Sequence, residues 1–177
     1  MYIWTAINVE KQLCELKKKV KKVESSVGII DSVVNLPLHI SLKISFSVDS
    51  SIQERVIDEI SKYYSSISLF DIPVCNIERM GKIVWIRMKE NEILSRIHSD
   101  LDKVMLEKFG VSPHEFDLDY KFHATLFMES DEVKVSSAYN KIKNEILPER
   151  LVANHFVIGS SETGAPGTYK VTHNIKI

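Results

Sequence analysis

The chain is poor in cysteine, in net charge and in long apolar runs. Its two cysteines, Cys14 and Cys75, are far apart, and the periodicity puts Cys14 on an apolar helix face. A disulfide framework is therefore not expected, and a reduced, cytoplasmic setting is. No stretch approaches the ~18 apolar residues of a membrane span. The first residues lack the basic and small-residue signals of a secretory leader. Basic and acidic residues number 23 and 24, for a formal net charge of −1. A chain that grips long duplex nucleic acid through its phosphates carries a basic excess. Any nucleic-acid partner here is therefore expected to be short. The densest basic run, Lys17 to Lys19 with Lys21 and Lys22, falls in a predicted helix and reads as a solvated face.

Chemical signatures are also missing. No histidine pair has the i, i+4 spacing of a helical zinc site, and there is no Cys-x-x-Cys, so no metal ligands are assigned. There is no phosphate-binding glycine loop, no Gly-x-Gly-x-x-Gly and no Gly-x-Ser-x-Gly, so no cofactor is assigned. Repeats, low-complexity segments and linkers are lacking too, and the 177 residues suit one domain spanning 1–177.

The periodicity predicts a strand over Tyr2–Ile7, then a helix opened by Asn8. A long strand follows over Val33–Val48, then a helix opened by Ser50 and Gln53 as a capping box. Strands are predicted over Ser68–Glu78 and Lys82–Lys89, and a helix from Asn91 to Gly110. After the strand Tyr120–Met128 comes a helix from Ser130 to Pro148, with Ile146 on its inner side. Strands Leu151–Ile158 and Tyr169–Ile177 flank a loop over Gly159–Gly167. This order suits an α+β fold with two similar lobes.

Two of these strands spell the same thing. His39-Ile40-Ser41-Leu42 and His123-Ala124-Thr125-Leu126 each place a histidine and a hydroxyl residue two positions apart. In a strand such positions share a face. Leu38, Ile40, Leu42, Ile44 and Phe46 then form one apolar face, opposite Pro37, His39, Ser41, Lys43 and Ser45. In the second strand Phe122, Ala124, Leu126 and Met128 oppose Lys121, His123, Thr125 and Phe127. One face covers helices, and the other presents imidazole and hydroxyl to a groove. Two imidazoles supply a general acid and a general base near neutral pH, and two hydroxyls donate to phosphate oxygens. Which histidine is the base is not readable from the pattern. Lys43 and Lys121 either add positive potential for the phosphate or close the strand ends as solvated charges. Trp85 and Phe127 are candidates to stack on a base, with core packing an equal alternative for Trp85, and Tyr2 and Trp4 are weaker candidates of the same kind.

The paired strings resemble the signature of the 2H phosphoesterase superfamily, which includes the 2′-5′ RNA ligase-like (LigT-like) proteins and cyclic nucleotide phosphodiesterases. That signature is His-x-Ser/Thr-apolar, twice, about eighty residues apart, which His39 and His123 match in type and separation. Tyr2-Ile3-Trp4-Thr5-Ala6-Ile7 is similar to the family's first strand, and Ile83-Val84-Trp85-Ile86 to its Trp-containing strand. The resemblance implies a two-lobed, pseudo-twofold fold in which antiparallel sheets line a central groove and helices pack outside. It implies a phosphodiesterase acting, without a metal, on a 2′,3′-cyclic phosphate or a 2′-5′ phosphodiester. The partner would be an RNA end, a short oligonucleotide or a cyclic nucleotide. Binding of such a ligand without turnover, or ligation as the reverse reaction, are the alternatives; an interaction domain with structural histidines is a third.

Overall fold

The computed structural model describes residues 1–30, 36–165 and 167–177. The elements run β1 (Tyr2–Asn8), α1 (Cys14–Val27), β2 (His39–Ser47), α2 (Gln53–Ser65), β3 (Phe70–Met80), β4 (Ile83–Met88), α3 (Glu92–Phe109), β5 (His123–Met128), α4 (Glu132–Ile142), β6 (Arg150–Ala153), β7 (His155–Ser161) and β8 (Lys170–Lys176). A 3-10 turn, Glu115–Asp117, precedes β5. The start of the strand expected from Val33 lies outside the described residues.

All eight strands pair antiparallel, in the order β6-β3-β4-β5-β2-β1-β7-β8. The middle of this sheet is a pseudo-twofold seam: β5 and β2 are the inner pair, β4 and β1 their outer neighbours. The helices are exchanged across the seam. α1, which follows β1, packs on β5 and α4, while α3, which follows β4, packs on β2 and α2. This exchange ties the two halves into one core on the helix face, running from Ile40 and Leu42 through Ile60, Leu101 and Ala138. Apolar positions three and four apart create the buried stripes, such as Val56, Ile57, Ile60 and Tyr64 on α2. α3 is the best delimited helix. The Asn91 side chain accepts from the Ile93 and Leu94 amides, and Gly110 closes the far end at φ 68°, where a side chain would be strained.

Several expected boundaries shift. Asn8 takes up the Glu10 amide in a turn, and α1 starts later, at Cys14, which is exposed and not on the apolar face. Ser50 and Gln53 form no capping box; Ile52 stands at the N-cap of α2 with no side-chain cap bond. α4 ends at Ile142, which leaves Ile146 in solvent. The segment from Leu151 breaks at Asn154 into β6 and β7, and β7 continues through Ser161 into the stretch expected as a loop. No helix among the described residues is long and apolar enough to cross a membrane.

Candidate active site

The two motif strands touch at a single bridge, Ile40 opposite Ala124. Carried one residue either way, that register sets His39 opposite Thr125 and Ser41 opposite His123. Each imidazole thus neighbours the hydroxyl of the other strand, and the two histidines lie on a diagonal. Diagonal positions of an antiparallel pair are roughly 7–8 Å apart, close enough for both rings to reach one tetrahedral phosphorus. Ile40 and Ala124 point the other way, fully buried among the helices. All four motif side chains therefore share the opposite face, half-buried.

Both rings are held in the same way. Nδ1 of His39 donates to the Pro37 carbonyl at 2.7 Å, and Nδ1 of His123 donates to the Lys121 carbonyl at 2.6 Å. A carbonyl oxygen only accepts, so each neutral ring carries its proton on Nδ1 and keeps the Nε2 lone pair for the groove. A tryptophan backs each ring: Trp4 edge-on to His39 at 4.5 Å, Trp85 tilted against His123 at 4.2 Å between centroids. Nε1 of Trp4 also donates to Oγ of Ser41 at 3.3 Å, which leaves the Ser41 proton free to donate elsewhere.

Burial pushes the His39 imidazole down to about 4; the Pro37 carbonyl opposes this shift, and the like charge of His123 adds to it. Burial lowers His123 as well, against the pull of the Lys121 carbonyl. A proton accepted readily by the unfolded chain near pH 6.5 is thus refused by the folded one until about pH 4. His39 leaves stability undiminished above about pH 6.5 and erodes it as the pH falls toward 4. Between pH 7 and about pH 5 its share of the loss is expected to be about 2 kcal/mol. Urea unfolding at both pH values, set against His39→Gln, measures it. An equal loss in the variant would assign the pH dependence to other groups.

The strands do not keep simple alternation past the motifs. Between Thr5 and Ala6, β1 advances one residue while β2 advances two, from Ser41 to Lys43. Between Val84 and Trp85, β4 advances one residue while β5 advances two, from Thr125 to Phe127. The same bulge follows both motifs, and it turns the next side chain from the groove to the helix face. Lys43 and Phe127, expected in the groove, are therefore both buried in the interior. Phe127 joins the apolar core and cannot stack on a base. Lys43 is 1 % exposed; its ammonium meets Asp102 of α3 and, at 3.2 Å, Asp117. His98 of α3 joins them. Its ring nitrogens face the carbonyls of Leu42, at the bulge, and Asp117, at 2.8 and 3.1 Å. It stacks on Tyr120, whose hydroxyl donates to the Ser41 carbonyl. His98, Asp102 and Asp117 converge closely enough to hold a cation, and Lys43 supplies one covalently attached.

Of the remaining expected residues, Trp85 is 5 % exposed and committed to His123, so it too presents no open ring for stacking. Lys121 is exposed beside Asp119, at 3.7 Å. Lys17 and Lys21 are not merely a solvated face: with His39, Pro37 and Thr125 they line a small cavity of about 70 Å³. Trp4 carried only a faint signal in the sequence, because a tryptophan in a strand reads equally as core. It depends on Gly159, where an added Cβ would stand 2.7 Å from the indole and 2.8 Å from the Lys170 carbonyl. Gly159→Ala is expected to cost about 1–3 kcal/mol and to alter tryptophan emission. An unchanged urea midpoint would show that Trp4 is free to move.

The comparisons with known proteins agree with this fold. The sequence pattern of the 2′-5′ RNA ligase superfamily matches residues 12–165. The fold is similar to that of a phosphoesterase (TM-score 0.64, 13% identity, covering 99% of this chain and 97% of that one). It is also similar to TT0787 of Thermus thermophilus (0.61, 14%, 99% and 97%) and to E. coli LigT complexed with 3′-AMP (0.58, 14%, 99% and 96%). No curated protein matches by sequence. At these identities the structural likeness speaks for the fold, and the family assignment rests on the sequence pattern. With that pattern covering most of its length, the chain belongs to the 2′-5′ RNA ligase superfamily of 2H phosphoesterases.

Proposed function

We propose that residues 1–177 form one metal-independent phosphodiesterase domain that opens a 2′,3′-cyclic phosphate or a 2′-5′ phosphodiester on an RNA end or small nucleotide. His39 and His123 act as general acid and base, and Ser41 and Thr125 donate to the non-bridging oxygens. The observation that carries this reading is the Ile40–Ala124 bridge. Its register supports the reading by setting His39 beside Thr125 and Ser41 beside His123, and each imidazole keeps Nε2 unengaged by its backbone tether. E. coli LigT has been crystallised with 3′-AMP, ATP and phosphate, which supports a nucleotide or phosphate ligand for the matching groove. The two free cysteines suit a reduced, cytoplasmic setting.

The chemistry follows from the tethered rings. Nε2 of the base takes a proton from water as the water oxygen bonds to phosphorus. The bond to the 2′ or 3′ leaving oxygen breaks, and that oxygen takes the proton from Nε2 of the acid. Burial keeps both rings neutral in the empty groove, and an arriving phosphate reverses this for one of them. Its negative charge stabilises an adjacent imidazolium, so the acid is created where the substrate is. Lys43 contributes no potential at the phosphate, being spent on Asp102 and Asp117. Run backward, the same proton transfers form the diester, which is ligation.

The test is turnover of 2′,3′-cyclic nucleotides and 2′-5′ oligonucleotides with EDTA present. Turnover of one class, resistant to EDTA, is the expected result. Binding without turnover would give the site to a nucleotide-binding module instead.

A further inference from the structure

The pseudo-twofold axis makes the two ends of the groove comparable position by position, and they differ in charge. Asn8 stands opposite His39 on β1, and Arg87 stands opposite His123 on β4. Both ladders continue by one more hydrogen bond. The Val9 amide donates to the Leu38 carbonyl and the Met88 amide to the Phe122 carbonyl. The next pair is therefore Glu10 opposite Pro37 in one half and Lys89 opposite Lys121 in the other. On these ladder positions the His39 end has an amide, a carboxylate and a proline, with Lys17 and Lys21 reaching in from α1, and the His123 end has three cations.

At the His39 end the charge is settled internally. Glu10 accepts from the Leu38 amide at 2.9 Å and pairs with Lys17 at 2.5 Å. At the His123 end the pairing is looser, and Glu90 stands near Arg87 as well. Arg87 leans on Glu78 at 3.3 Å and Lys121 is 3.7 Å from the almost wholly exposed Asp119, while Lys89 has no ion pair among the described residues. Like charges directly opposite on a ladder destabilise it, and an anion between them removes that repulsion. A cleft of about 520 Å³ opens at this end, lined by Arg87, Lys89 and Lys121 together with Glu90 and Asp119, and by Asn91 at the start of α3. Residues two apart on a strand are about 7 Å apart. The lysine pair thus stands about one nucleotide step beyond the row that carries His123.

We propose that Arg87, Lys89 and Lys121 form a second phosphate subsite, so that the preferred substrate carries another phosphate on the His123 side of the scissile one. This rests on the phosphodiesterase reading above, and it gives the groove a direction: a nucleotide chain enters with its additional phosphate over Lys89 and Lys121. The second phosphate is either the next diester of an oligonucleotide or a terminal monoester on a single nucleotide, and both present the same oxygens to the lysines.

The experiment compares three ligands: a 2′,3′-cyclic mononucleotide, the same nucleotide with a 5′-phosphate, and a dinucleotide ending in the cyclic phosphate. For the wild type, kcat/KM is expected to rise at least about tenfold with the second phosphate. In Lys89→Gln/Lys121→Gln that ratio is expected to fall toward one, and the salt dependence of binding to flatten by roughly one unit of slope. A gain with the dinucleotide but not the 5′-phosphate identifies the diester as the group held; a gain with both identifies any phosphate. A ratio that survives in the double variant overturns the subsite while leaving the phosphodiesterase in place. If the wild type turns over none of the three, the phosphodiesterase reading fails. Equilibrium binding of the same ligands then decides the subsite: weaker binding of the doubly phosphorylated ones to the variant upholds it, and equal binding, or none to the wild type, overturns it.

Discussion

Alanine at His39 or at His123 is expected to lower kcat for a cyclic or 2′-5′ phosphodiester by about 100- to 10,000-fold, with KM changed far less. Each substitution removes one proton transfer and leaves Ser41 and Thr125 to bind the phosphate. The two losses should not add. With one ring gone, the remaining one has no partner of opposite protonation state, so the double variant should be little worse than either single one. Steady-state kinetics on the substrate found in the panel, with circular dichroism to confirm folding, make the measurement. A variant that keeps wild-type activity would remove that histidine from the mechanism, and two such variants would leave a binding groove.

Lys43→Met is expected to destabilise the protein by about 3–5 kcal/mol, more than any substitution in the groove. Methionine fills the space of the lysine stem but leaves Asp102 and Asp117 facing each other without the ammonium. Asp117 is the worse placed of the two. Its side chain is wholly buried and Oδ1 finds no partner among the described atoms, while Oδ2 accepts from the His114 amide at 2.7 Å. Adding Asp117→Asn to Lys43→Met should recover part of the loss, because a neutral amide needs no counter-charge. Urea unfolding of the two variants decides it. A cost under about 1 kcal/mol for the single substitution would mean that water reaches the carboxylates.

This network also explains why losing Lys43 should be felt in the groove. The carbonyls of Ser41 and Leu42, beside the bulge in β2, are taken up by the Tyr120 hydroxyl and the His98 ring. Tyr120 lies one residue before Lys121, whose carbonyl orients His123. The buried charges thus bear on the first motif directly and on the second through the segment that leads into it.

Much of this was legible in the sequence because it depends on period and type. Alternation in β2 and β5 placed His39 with Ser41 and His123 with Thr125, and apolar positions three and four apart located the cores of four helices. The Asn91 cap and Gly110 bounded α3 from chain chemistry alone. The roles expected of Lys43, Phe127 and Trp85 were not legible in the same way. A bulge inserts one residue into one strand against its neighbour, so it is a property of a pair of strands, and alternation within a single strand carries no trace of it. Two identical bulges sent Lys43 and Phe127 inward. Trp85 stayed on the groove face but was covered by His123.

What the sequence determined by itself was the chemistry available: two imidazoles, two hydroxyls, and the face each would share. Which groups meet was decided by the tertiary structure. One bridge, Ile40 to Ala124, brings the motifs together across about eighty residues of chain. The exchange of α1 and α3 across the seam buries the opposite face, and the register of β4 against β5 gathers Arg87, Lys89 and Lys121 at one end. The physical reason is that alternation is local and survives in any strand, whereas register and burial exist only once two strands and a helix layer have met.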